Sequence, residues 1–145
     1  MSCGWADLNL KVQVDCLSPA AVLVLLAEDF LPFRQFVCSM LAERSDLRII
    51  EEVSDGLEVV QKAAELKPDL ILLDIGLPTM NGIEAARRIR ALVPESKIIF
   101  LSQESSADVI EEALNTGALG YVVKVQAESQ LLATIHAAIS NAVPR

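Results

Sequence analysis

Five short runs rich in branched apolar residues, each followed by a longer segment with helical spacing, constrain this chain more than any other feature. The runs cover 21–27, 47–53, 69–74, 97–101 and 119–123, and the first reads Ala21-Val-Leu-Val-Leu-Leu-Ala27. Runs this short and continuous are the mark of strands buried on both faces, as in a parallel sheet covered by helices on each side. Between them, Phe33, Phe36, Val37, Met40 and Leu41 recur at helical spacing, as do Leu57, Val60, Ala64 and Leu66. Further helices are expected over 83–92 and 107–115, and Leu131, Leu132, Ile135 and Ile139 stripe a last one. Asp55 is placed to cap the second helix, Pro68 lies just beyond its end, and Gly117 stops the fourth. Strand then helix, five times over, predicts an α/β fold: a (βα)5 doubly wound parallel five-stranded sheet with right-handed crossovers and helices on both faces.

Length and charge narrow the function. At 145 residues the chain suits one domain. Twelve Lys and Arg against twenty Asp and Glu give a net charge of −8. No clustered basic surface is available to neutralise phosphates, so nucleic acid binding by this domain is not expected. No run approaches the roughly 18 apolar residues of a membrane span, so no membrane partner is expected either. Cys3, Cys16 and Cys38 are odd in number and form no CxxC, which argues against a disulfide framework or a thiolate zinc site. The N-terminus lacks the basic flank and small-residue cleavage site of a signal peptide, and a cytoplasmic location follows. Residues 1–20 read as an N-terminal extension or tag-like tail with a short alternating stretch at Lys11–Asp15. The domain proper is expected over 21–141, with 142–145 a tail or the start of a linker.

In doubly wound sheets the site lies outside the carboxyl ends of the strands. Those ends carry Glu28, Asp29, Asp74, Ser102 and Lys124. Three carboxylates in one small space repel one another, and a hard divalent cation among them relieves the repulsion. Mg²⁺ suits oxygen ligands of this kind and keeps open positions for phosphate oxygens. A lysine and a hydroxyl on the same rim suit a phosphoryl group. Together they read as a phosphoryl-transfer site whose acceptor is a carboxylate. The plainer readings are that Glu28 or Asp29 caps the first helix, and that Ser102 merely ends a strand. His136 reads as structural, Cys38 as buried filler of the first helix, and the Arg87, Arg88 and Arg90 cluster as one solvated helix face.

These residues, with Pro78, Gly82 and Tyr121-Val-Val-Lys124, resemble the receiver domain of two-component response regulators over about residues 20–141. Within that family the segment 118–124 and the helix after it are most similar to receivers of the LuxR/NarL type, which carry a C-terminal helix-turn-helix. The resemblance implies a flavodoxin-like fold in which Asp74 accepts a phosphoryl group from a sensor histidine kinase. It implies Mg²⁺ held by Asp29, Asp74 and the backbone carbonyl of Gly76, with Glu28 acting through water. Lys124 would pair with a phosphoryl oxygen. Ser102 would move toward the phosphoryl group and Tyr121 would turn inward, remodelling the surface of the fourth helix, fifth strand and fifth helix. That surface would serve a homodimer or an output domain. Val125 stands where many receivers have a cis proline, Gln103 where a small residue is usual, and Gly76 where a side chain often shapes dephosphorylation. The alternative is a degenerate receiver, an interaction module that signals without phosphate. A phosphatase using Asp74 is disfavoured, because Gly76 leaves no general acid two residues on.

Overall fold

The computed structural model describes residues 21–142; the expected N-terminal extension and residues 143–145 lie outside them. The elements alternate as expected: β1 (Val22–Ala27), α1 (Leu31–Ala42), β2 (Leu47–Val53), α2 (Gly56–Leu66), β3 (Leu70–Asp74), α3 (Gly82–Leu92), β4 (Lys97–Ser102), α4 (Ala107–Leu114), β5 (Gly120–Val123) and α5 (Ala127–Ala142). A 3₁₀ turn over Lys124–Gln126 joins β5 to α5, so Lys124 sits one residue past the strand. All strand pairs are parallel, in the order β2-β1-β3-β4-β5. The chain winds outward from β1 in one direction and from β3 in the other, which opens a crevice at the carboxyl ends between those two strands.

Side chains alternate across each strand, and the two faces build two cores. Leu25, Ala27, Ile71, Leu73, Ile98 and Phe100 pack against Val59, Val60 and Ala63 of α2, Ile83 and Ile89 of α3 and Ala113 of α4. Val24, Leu26, Leu70, Leu72, Ile99 and Leu101 pack against Val37 and Leu41 of α1 and Leu131, Ile135 and Ala138 of α5. Three helices therefore cover one face and two the other. Every residue of β3 is buried, which is why that strand reads as a continuous apolar run.

Two sequence expectations need correction. The buried stripe of α2 is Gly56, Val59, Val60 and Ala63, and only Val60 belongs to the expected set. Asp55 does cap the helix, its carboxylate accepting from the N–H groups of Leu57 and Glu58 at 2.9 and 3.0 Å. That cap starts the helix so that Gly56 meets the loop after β3, where an added Cβ would lie 1.7 Å from the Met80 carbonyl oxygen. Leu57 and Leu66 turn outward instead. In α1, Phe36 is likewise exposed, whereas Val37 and Leu41 are buried.

Candidate functional site

Strand register brings the candidate residues level. Ala27 pairs with Leu73, so Glu28 and Asp74 are each one step beyond that pair on neighbouring strands. Asp74 pairs with Leu101 on β4, and Ser102 pairs with Val123 on β5, directly before Lys124. Glu28, Asp29 and Asp74 each bring a carboxylate oxygen within 4.8 Å of the others. Asp29, Phe30, Asp74, Ile75, Gly76, Ser102, Gln103, Glu104 and Lys124 line an open cleft of about 390 Å³.

The loops hold this rim in place. Gly82 donates its N–H to the Ile75 carbonyl at 2.7 Å. An added Cβ at Gly82 would lie 2.1 Å from the Asp74 carbonyl oxygen, so only glycine lets α3 start this close to the end of β3. Gly76 donates its N–H to Asp74 Oδ1 at 3.2 Å, and a Cβ there would meet open space. The Glu28 N–H is bonded to the Val53 carbonyl, and Arg34 Nη1 donates to the Glu28 carbonyl at 3.4 Å. Neither Glu28 nor Asp29 is the N-cap of α1. That position is Phe30, with no side-chain cap, and Pro32 follows in the first turn. The Phe30 N–H instead donates to Glu28 Oε2 at 3.1 Å, which turns this carboxylate back into the site.

The electrostatics are those of a crowded acidic pocket. Glu28 is fully buried and Asp74 nearly so, while Asp29 is exposed. The Lys124 ammonium lies 2.9 Å from Glu28 Oε2 and 3.6 Å from Asp74 Oδ2. Burial, then the Glu28 charge, pushes the Asp74 carboxyl up to about 6, against the opposing pull of Lys124. Glu28 Oε1 is buried with no hydrogen-bond partner. With all groups ionised, three carboxylates and one ammonium leave two negative charges. An all-oxygen donor set, a surplus of two charges and an orphaned buried carboxylate oxygen fit a hard divalent cation.

Ser102 and Tyr121 grip one loop. Ser102 Oγ accepts from the Glu104 N–H at 3.0 Å, and the Tyr121 hydroxyl donates to the Glu104 carbonyl at 2.8 Å. Tyr121 is half-buried, its ring 6.3 Å from that of Phe100. The peptide before Val125 is trans, like every peptide among the described residues, and the Val125 side chain is exposed. His136 lies away from the site, its Nε2 3.6 Å from Asp46. Arg87 and Arg88 pair with Glu84 on the outer face of α3. Cys38 is half-buried, and burial together with Glu52 pushes its thiol up to about 11.

From the sequence, Phe33 reads only as one of the apolar residues at helical spacing before β2. Its ring lies under the Lys124 ammonium, with the nitrogen 4.9 Å from the centroid. The available signal was an aromatic in the first turn of the helix that follows the acidic pair.

The fold and rim define an α/β domain of flavodoxin-like topology with an acidic, lysine-bearing crevice at its switch point. The response regulator receiver domain model matches residues 24–136, and the chain belongs to that family. It is 36% identical over 115 residues to the transcriptional regulatory protein LiaR of Bacillus subtilis, covering 79% of this chain and 54% of LiaR. It is 35% identical over 103 residues to the chemotaxis protein CheY of Listeria monocytogenes, covering 71% of this chain and 87% of CheY. A LuxR-family two-component response regulator from Aurantimonas superposes with a TM-score of 0.80 at 25% identity, over 84% of this chain and 87% of that one. The chain spans about half the length of the transcriptional regulators it matches. No helix among the described residues is long and apolar enough to cross a membrane.

Proposed function

We propose that this receiver domain is a phosphorylation switch in which Asp74 accepts a phosphoryl group from a phosphohistidine of a sensor kinase. The observation that carries this reading is the shared rim: Asp74 buried beside Glu28, with Lys124 reaching both, at the mouth of a cleft that also holds Ser102 and Gly76. In the transfer, the phosphorus–nitrogen bond to imidazole breaks as a bond forms to an Asp74 carboxylate oxygen. Asp74 must be ionised to attack, and the Lys124 ammonium beside it favours that form. Asp29, Asp74 and the Gly76 carbonyl would hold Mg²⁺, with Glu28 acting through water. Bound there, the ion neutralises charge on the transferring oxygens.

Lys124 has two tasks. Before transfer it balances Glu28; afterwards its ammonium can leave Glu28 for a phosphoryl oxygen, a short swing given three donors and a flexible stem. The Ser102 hydroxyl can exchange the Glu104 N–H for the same phosphoryl group. Because the Tyr121 hydroxyl holds the Glu104 carbonyl, any shift of Ser102 is felt at Tyr121 and on the face formed by α4, β5 and α5. Phosphorylation thus biases a two-state surface through new charge-assisted hydrogen bonds. That surface would serve a second copy or an output domain. The relatives named as transcriptional regulators support a DNA-binding output domain, with nucleic acid contact made there and not by this acidic domain. The domain acts as a signalling module in the cytoplasm and catalyses only its own modification.

The test is labelling by radioactive acetyl phosphate with Mg²⁺ or with a chelator. The reading expects Mg²⁺-dependent label that hydroxylamine releases, as an acyl phosphate requires. A hydroxylamine-stable label, or equal labelling in chelator, would overturn it.

A further inference from the structure

Lys124 is almost buried, its side chain 11% exposed, and its ammonium has three donors to place. Two carboxylates lie against it, Glu28 at 2.9 Å and Asp74 at 3.6 Å. The Phe33 ring lies on the nitrogen at 4.9 Å from its centroid, within the range of a cation–π contact. Phe33 is itself anchored: it packs against the core between α1 and the sheet, and its ring stacks at a tilt 5.7 Å from that of Phe36. It also lies on the first turn of α1, the helix that follows the acidic pair.

We propose that Phe33 is a positioning residue for Lys124, presenting its ring as an uncharged partner that keeps the ammonium in the rim while the lysine exchanges one anion for another. This rests on the role given to Lys124 above. A further carboxylate at this place would hold the lysine and oppose its transfer to a phosphoryl oxygen. An aliphatic wall would leave a desolvated ammonium with no attractive partner on that side. The face of an aromatic ring attracts a cation through its quadrupole, tolerates a range of nitrogen positions and carries no charge that competes with the incoming phosphoryl group. The ring thus limits where Lys124 can go without tying it to one site.

The contact can be read without any phosphoryl chemistry. In the metal-free protein, the ε-methylene protons of Lys124 are expected upfield of ordinary lysine shifts, because they lie near the ring face. Phe33→Leu should return them to the ordinary range, and Phe33→Tyr should keep them upfield. Unchanged shifts in Phe33→Leu would overturn the proposal. With acetyl phosphate and Mg²⁺, Phe33→Leu should be labelled about three- to tenfold more slowly than wild type, and Phe33→Tyr within about twofold. Equal rates for the leucine and tyrosine variants would overturn it as well. Should Phe33→Leu fail to fold, pentafluorophenylalanine at position 33 keeps the shape and reverses the quadrupole. It should slow labelling as leucine does, and wild-type speed there would contradict the proposal. A wild type that takes no label, with the Lys124 shifts behaving as expected, would sink the phosphoswitch reading and leave the contact standing.

Discussion

The Lys124 ammonium reaches across from the end of β5 to lie 2.9 Å from the fully buried carboxylate of Glu28. The one lysine of the rim therefore neutralises a fully buried carboxylate, and this sets the energetics of the whole site.

Removing the lysine should destabilise the fold more than removing its partner does. Lys124→Met leaves Glu28 buried and unpaired, a loss of about 3 kcal/mol. Glu28→Gln leaves the ammonium with Asp74 and the Phe33 ring, and the loss should be about 1 kcal/mol. Urea unfolding at neutral pH without Mg²⁺ compares them. Equal losses, or a larger one for Glu28→Gln, would mean that Glu28 is not held charged by Lys124.

Asp74 is expected to oppose stability when ionised. Its carboxyl titrates near 6 in the fold, raised by burial and then by Glu28, against about 4 in an unfolded chain. Between those values the folded state binds more protons, so this group adds stability as pH falls from 6 toward 4 and withholds it above 6. Asp74→Asn should therefore be more stable than wild type at pH 7.5 without metal, by roughly 1–2 kcal/mol after allowance for partial solvent screening. The gap should close as pH falls through 6. Thermal melts across that range would show it, and a gap that widens toward low pH would contradict the account.

Much of this was legible before any coordinates. The interior strands β1, β3 and β4 are buried and largely apolar, so their runs announced the sheet, whereas the edge strands β2 and β5 are only partly buried; strand-end residues followed because the registers bring the carboxyl ends level. Glu28, Asp29, Asp74, Ser102 and Lys124 do converge. The inward face of α2 was not legible. It depends on Gly56 fitting against Met80, a close approach between distant segments that apolar spacing does not encode. The plainer reading of Glu28 or Asp29 as a cap of α1 does not hold, since Phe30 is the N-cap and its N–H meets the Glu28 carboxylate; the contact of Phe33 with Lys124 was not legible because its partner comes from the far end of the chain.

The tight entry of α3 gives a second structural test. Gly82→Ala would press a methyl group into the Asp74 carbonyl, so it should destabilise by about 2–3 kcal/mol and weaken Mg²⁺ binding through displacement of Asp74. Circular dichroism melts with and without Mg²⁺ would measure both effects. A neutral substitution would mean that the end of β3 is free to shift.

At the opposite end of the sheet, Lys67 closes α2 in the left-handed region, with φ 47° and ψ 60°. Its side chain is exposed. Lys67→Gly should stabilise the domain by about 0.5–1 kcal/mol in urea unfolding, because glycine adopts that conformation without steric penalty. A loss would show that the left-handed turn is not strained.

The central claim is that Asp74 is the phosphoacceptor. Intact-mass spectrometry after incubation with acetyl phosphate and Mg²⁺, on wild type and on Asp74→Asn, tests it most directly. The account predicts one added phosphoryl group of about 80 Da on the wild type and none on the variant. An adduct that persists in Asp74→Asn, or a wild type that binds Mg²⁺ and takes no adduct, would contradict it.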